Sequence, residues 1–186
     1  MRTYNKAAGT LGLALFLASC SYTSGDTGTG LYASDQKIAA AELTDRQNDP
    51  VGRVILVRSE DALSLKLELG GLEPGVKAFH LHTTADCSAP DFTSAGGHLN
   101  PDGNTHGSLS EGGKHLGDLP NITVGEDGTV DETFALSGTA ADVLAAIFDA
   151  DGTAVMIHQG PDDYVSDPAG AAGPRIACGE LVLNSD

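Results

Sequence analysis

The stretch Leu63-Ser64-Leu65-Lys66-Leu67-Glu68-Leu69 alternates leucine with a polar residue at every step. Successive side chains of a strand point to opposite faces, so a period of two marks a strand buried on one face only. Working outward, Val51 to Arg58, Val76 to His82, Thr129 to Leu136, Ala154 to His158 and Ala177 to Leu183 are further candidate strands, and the pattern is strand-like from about Lys37 onward. Asp127-Gly128 and Asp151-Gly152 are turn signals. Ala140 to Phe148 fits a short helical turn. Several short strands with glycine-rich punctuation predict an all-β domain, an antiparallel β-sandwich or flattened barrel. One stretch breaks the pattern: Asp86 to Pro120 is rich in Gly, His, Asp and Pro and has almost no strand periodicity. A long structureless segment inside a compact domain is usually functional.

The chain has 186 residues, a formal net charge of -16, no Trp and 24 Gly. Its core must therefore be built mostly from Val, Leu, Ile and Ala. No basic stripe is present to neutralise phosphates, which excludes nucleic acid as a partner.

Residues 1–20 read MRTYNKAAGTLGLALFLASC. Arg2 and Lys6 give a positive start, and Ala7 to Leu17 is an apolar run too short for a permanent span. The run ends in Leu17-Ala18-Ser19-Cys20, which resembles the bacterial lipobox, in which a Cys thiol carries the lipid and the chain is cut just before it. The expected organisation is a lipoprotein signal peptide over 1–19, a lipidated flexible tether over 20–36 and a folded domain over 37–186. The tether is small and polar. The expected location is the periplasm, anchored by the lipid on Cys20 to the cell envelope, with Ser21 favouring the outer membrane. Cleavage removes Arg2 and Lys6 and no acid, so a chain starting at Cys20 carries -18 where the full sequence carries -16.

The six histidines are His80, His82, His98, His106, His115 and His158, all outside the tether. A single His is most often a core or surface residue, but six confined to the folded part fit that account poorly. Imidazole is the commonest protein ligand for zinc and copper. His80 and His82 stand at i and i+2 on a candidate strand and share a face. His98, His106 and His115 lie in the long loop, with Asp118 three residues beyond the last. Three imidazoles and a carboxylate match the closed tetrahedral sites that zinc favours. His158 ends an apolar strand and brings a ligand from far along the chain. One site cannot use all six; two adjacent sites sharing a histidine can. Three Cys are present. If Cys20 is lipidated, Cys87 and Cys178 remain as one even pair in an oxidising compartment.

Five segments then carry a resemblance. Ala78-Phe79-His80-Leu81-His82, Cys87 through Pro101 with Gly96-Gly97-His98, and His115-Leu116-Gly117-Asp118-Leu119-Pro120-Asn121 are similar to the metal-binding half of the copper,zinc superoxide dismutases. Ile157-His158-Gln159-Gly160-Pro161-Asp162-Asp163-Tyr164 and Gly173-Pro174-Arg175-Ile176-Ala177-Cys178-Gly179 are similar to the other half in its bacterial form. The resemblance covers roughly residues 37–184. It implies an eight-stranded Greek-key sandwich with long metal-binding and electrostatic loops, an architecture of which this enzyme family is itself a stock example. It implies copper on His80, His82, His98 and His158, and zinc on His98, His106, His115 and Asp118, with His98 as the bridge. Asp162 would orient His80 and His106, Cys87 and Cys178 would form a disulfide, and Arg175 would stand beside the copper. The implied activity is conversion of superoxide to dioxygen and hydrogen peroxide, with Arg175 and His98 as catalytic residues. Members of the family occur as monomers and dimers, and a homodimer is the expectation here. The competing readings are a metal-buffering lipoprotein without turnover, which leaves Arg175 and Asp162 unexplained, and an adhesion-type sandwich whose metals only brace a loop.

Overall fold

The computed structural model describes residues 35–184, together with Met1 and Thr3. Apart from Met1 and Thr3, the signal peptide expected over 1–19 lies outside the described residues, as do Cys20 and the tether through residue 34. The chain divides into Met1–Tyr32 and Ala33–Asp186, and the second unit is the folded domain.

Its strands are β1 (Gln36–Asp45), β2 (Pro50–Ser59), β3 (Ala62–Leu69), β4 (Gly75–Lys77), β5 (Phe79–His82), β6 (Ile122–Val124), β7 (Val130–Ala135), β8 (Ala154–His158), β9 (Arg175–Glu180) and β10 (Val182–Leu183), with one helix, α1 (Ala140–Ile147), between β7 and β8. All pairings are antiparallel. The eight-stranded sheet runs β5-β8-β9-β1-β2-β3-β7, with β10 beside the first half of β1. The pair β4 and β6 forms a separate two-stranded sheet. Consecutive strands β1, β2 and β3 are neighbours, while the chain leaves β3 for the opposite edge at β5 and comes back to β7. This is the crossing connectivity of a Greek key, wound on a curled antiparallel sheet.

The leucine alternation does what its period dictates. Leu63, Leu65, Leu67 and Leu69 are buried, and Ser64, Lys66 and Glu68 stand on the other face. Val54 and Leu56 of β2 lie opposite Leu67 and Leu65, and Phe134 of β7 flanks Leu65 from the other side. Each buried leucine contributes roughly 1.5–3 kcal/mol relative to an exposed one. In α1, Ala140, Val143 and Ile147 are the buried positions, spaced for one helix face. The Thr139 hydroxyl oxygen caps its start by accepting from Asp142 N.

The structure splits the single strand expected over Val76 to His82. At Ala78 the chain changes partner: Lys77 lies opposite Ile122 in the small sheet, whereas Phe79 lies opposite Ile157 in the large one. The Ala78 amide donates to Gly160 O and its carbonyl accepts from His158 N, so the switch residue loses no hydrogen bond.

The pleat of β5, β8 and β9 positions the chemistry. Phe79, Leu81, Val155, Ile157 and Ala177 point into the main core. Their neighbours point the other way, where Met156, Ala154 and Cys178 form a second apolar cluster with Phe92 and Ala95 of the long loop. A loop that buries its own apolar residues on the outer face of a sheet is held there, and His80, His82 and His158 are trapped beneath it.

Candidate metal centre

His80, His82 and His158 come from strand backbone, on β5 and at the end of β8. The long loop brings the rest through a ladder of backbone bonds: Leu99 N donates to Leu81 O, Leu81 N to Gly117 O, and Gly117 N to Leu99 O. His98 thereby lies opposite His82, and Asp118 opposite His80. Two four-residue groups result: His80, His82, His98 and His158; and His98, His106, His115 and Asp118. In each group the ligand atoms lie within 4.8 Å of one another, every residue is buried, and His98 belongs to both.

The ring nitrogens divide into tied and free. His82 Nδ1 is 3.0 Å from Gly96 O, and His158 Nδ1 is 3.0 Å from Gly173 O. His80 Nε2 and His106 Nε2 sit 2.8 and 2.9 Å from the two oxygens of Asp162. The remaining atoms, His80 Nδ1, His82 Nε2, His98 Nε2, His158 Nε2 and His106 Nδ1, are buried with no hydrogen-bond partner. Five orphaned imidazole nitrogens converging in one place contradict the rule that buried polar atoms are satisfied, unless cations satisfy them.

On the second group, Asp118 Oδ1 faces three ring nitrogens: His98 Nδ1 at 2.7 Å, His115 Nδ1 at 3.0 Å and His106 Nδ1 at 3.1 Å, the last without hydrogen-bond geometry. Ligand bonds of about 2.0–2.1 Å in a tetrahedron put neighbouring ligand atoms roughly 3.3 Å apart, so these three O–N separations fit a slightly contracted cage of the kind zinc takes. The other carboxylate oxygen accepts from Gly107 N at 2.8 Å and His115 N at 3.0 Å.

Electrostatics keep the ligands in their binding forms. Burial, assisted by the nearby His98 ring and the Arg175 guanidinium, pushes His82 down to about 2, and burial also brings His98 to about 4 and His158 to about 3. All three are therefore neutral at physiological pH. Burial acts to raise Asp118 and Asp162, but hydrogen bonds from His98, Gly107 N–H and His115 N–H on the first, and from His80, His106 and Tyr164 N–H on the second, hold both carboxyls below the usual carboxylate range.

Cys87 and Cys178 form a disulfide spanning 91 residues, at the centre of the outer apolar cluster. Arg175 begins β9, and its guanidinium donates to Phe92 O and Gly96 O at 2.5 Å each. Gly96 O thus holds both Arg175 and His82, fixing the cation beside the first group.

The structure brings together every ligand candidate read from the sequence. It adds residues that the sequence reading left without a role. Asn121 clamps the Asp162 backbone from both sides: Nδ2 donates to Asp162 O at 2.9 Å, and Oδ1 accepts from Asp162 N at 2.8 Å. Tyr164 N donates to Asp162 Oδ1 at 2.6 Å while its hydroxyl accepts from Asn121 N at 2.8 Å. Asp167 accepts from His106 N, and Arg46 Nε donates to Arg175 O at 2.6 Å. Asn121 and Tyr164 were legible only as the residues closing the His115 to Asn121 and Ile157 to Tyr164 segments; the others carry no local signal.

Residues 50–181 match the family model described as copper/zinc superoxide dismutase. The chain is 39% identical over 180 residues to superoxide dismutase [Cu-Zn] 2 of Aquifex aeolicus, covering 95% of this chain and 98% of that one. It is 41% identical over 134 residues to superoxide dismutase [Cu-Zn] of Caulobacter vibrioides, covering 70% of this chain and 77% of that one. Among solved structures it is similar to a SOD-like protein from Bacillus subtilis, with a TM-score of 0.73 and 35% identity over 80% of this chain and 100% of that one.

Proposed function

Because the chain belongs to the copper/zinc superoxide dismutase family, we infer that its two ligand groups divide between the two metals, with copper on His80, His82, His98 and His158 and zinc on His98, His106, His115 and Asp118. The activity is that of the family: two superoxide ions and two protons give one dioxygen and one hydrogen peroxide. The observation that carries the ligand assignment is the set of five orphaned, buried imidazole nitrogens around a shared His98. The N₃O group suits zinc and the all-imidazole group suits copper.

Bound copper supplies a site that accepts one electron and gives it back, which zinc, having no redox chemistry, does not. The chain's own residues do the remaining work. Arg175, pinned by two carbonyls, presents a fixed cation to a small anion in a protein whose net charge of -16 otherwise repels it. His98 Nε2, facing the first group, is the atom placed to hold a proton and deliver it to the peroxide product, while Nδ1 stays engaged on the Asp118 side. Asp162, held by Asn121 and Tyr164, keeps His80 and His106 in the tautomer that leaves Nδ1 as the ligand atom. The experiment is metal analysis of the purified protein with superoxide consumption measured before and after selective copper removal. Consumption that survives copper removal overturns the assignment of the redox site.

The export reading joins this one. The chain is a periplasmic lipoprotein, cut before Cys20 and held on the envelope, the outer membrane in preference to the inner, by a diacylglyceryl thioether. Supporting it are the positive start, the short apolar run and the placement of Cys20 at the end of that run. Metabolic labelling with a radioactive fatty acid tests it: label and membrane fractionation should both be lost in Cys20→Ala, and retention of either refutes the anchor.

A further inference from the structure

A cavity of about 310 Å³, lined by Asp45, Arg46, Gln47, Glu73, Lys77 and Gln159, includes none of the residues of the two ligand groups. Its floor is apolar, from Val51, Leu72 and Ile176. Lys77 is 5% exposed, and its ammonium has one partner, Gln159 O, at 3.4 Å. That contact is long for a charged donor. Among the described residues no ion pair includes Lys77 or Arg46. The Arg46 guanidinium spends only its Nε, on Arg175 O, and its terminal nitrogens make no hydrogen bond among the described residues.

A buried ammonium without a counter-charge is costly, and the half-buried Arg46 guanidinium adds a second positive charge to the same opening. The carboxylates nearby do not relieve them. Asp45 Oδ1 accepts from the Gln47 and Asp49 amides at 2.8 and 2.9 Å, and Glu73 is exposed at the mouth, paired with neither cation. The cavity therefore offers a buried ammonium, a half-free planar guanidinium and side-chain amides, above an apolar floor. That donor set suits a small oxyanion with oxygens on more than one side. Its volume is at the lower end of small-ligand sites.

We propose that the cavity framed by Arg46 and Lys77 is a binding site for a small oxyanion, a phosphate or a short carboxylate, separate from the metal centre. The occupant bridges the two side chains. Because Arg46 also holds the Arg175 carbonyl, the site borders the strand that carries the substrate-facing cation.

The test is calorimetric titration of the metal-loaded protein with inorganic phosphate and, separately, with succinate, which distinguishes the two sources of the oxyanion. Saturable binding of at least one is expected. Lys77→Met removes the charge with little change in shape and should weaken it about 10–100-fold. Its metal content reports that the variant has folded. Arg175→Ala should leave the binding intact, because that side chain faces the metal centre. Glu73→Gln should leave it intact or tighten it by removing the negative charge at the mouth. The proposal is overturned if neither anion binds saturably to the wild type or to Glu73→Gln. It is equally overturned if binding survives Lys77→Met undiminished; loss in Arg175→Ala would then place the anion at the metals.

Discussion

Replacing Gly170 by alanine tests whether the buried Asp162 carboxylate organises the zinc group. Gly170 has φ +62°, and a Cβ added there falls well inside contact distance of Asp162 Oδ1 and 2.8 Å from His106 Nε2. Two costs are separable. The positive φ costs an L-residue about 1–2 kcal/mol wherever it occurs. The clash is specific: it drives the Asp162 carboxylate off the bond to His106 at 2.9 Å and that to His80 at 2.8 Å. Losing the outer partner of a ligand histidine typically weakens metal binding about 10–100-fold. Gly103, in the Asp86 to Pro120 loop with φ +67° and nothing within 4 Å of an added Cβ, is the internal control, since its alanine variant incurs only the backbone cost. Zinc affinity is read by competition with a chromophoric chelator, in parallel with thermal unfolding. Gly103→Ala should lower stability while keeping wild-type zinc affinity; Gly170→Ala should lower both, with the affinity down about 10–100-fold. Equal zinc affinities in the two variants would refute the reasoning, because the carboxylate would then be dispensable to the cage.

Three further outcomes follow from the site. His82, His98 and His158 have folded-state values of about 2, 4 and 3 against 6.5, so the unfolded chain binds more protons as pH falls. The metal-free protein is therefore most stable above about pH 6.5 and loses stability progressively below it; urea unfolding that is unchanged between neutral pH and about pH 4 contradicts this. Arg175→Ala should keep both metals and lose roughly tenfold or more of its activity, and wild-type activity should fall with added salt as the local attraction is screened. Activity that climbs steeply with salt would mean that the global charge of -16 governs encounter instead. Replacing Cys87 and Cys178 together by serine removes a bridge across 91 residues, for which chain entropy sets an upper loss of about 4–5 kcal/mol; denaturant unfolding measures it, and no loss would mean the loop is held by Phe92 and Ala95 alone.

The sheet and the ligands were legible for different reasons. Leu63 to Leu69 announces a strand because a half-buried strand must alternate, and the structure buries those leucines. Ile122–Val124 gave no such signal, because three residues cannot display a period. The break at Ala78 was hidden since the residues on both sides are extended, and only their partners, Ile122 and Ile157, differ. Histidine is rare enough for six to stand out, and a resemblance of spacing then separated the two groups. The residues that aim those histidines are common loop types whose partners lie far off: Asn121 acts on Asp162, 41 positions away, and Arg46 on Arg175, 129 positions away. Nothing local to either position encodes such a pairing.

The two ligand groups have walls of different stiffness. Three of the four imidazoles in the first stand on β5 and β8, inside the hydrogen-bonded sheet, whereas His106, His115 and Asp118 are carried by a segment with no strand of its own. Three sides of the sheet-borne pocket are in place as soon as β5 and β8 pair, and the loop adds His98 alone. The loop-borne one needs an ion to draw its walls together. A single polypeptide thus sets two clocks: zinc exchange should track local opening of the loop, and copper exchange the much rarer opening of the sheet. Isotope-exchange rates that are equal for the two ions would show instead that the whole assembly breathes as one.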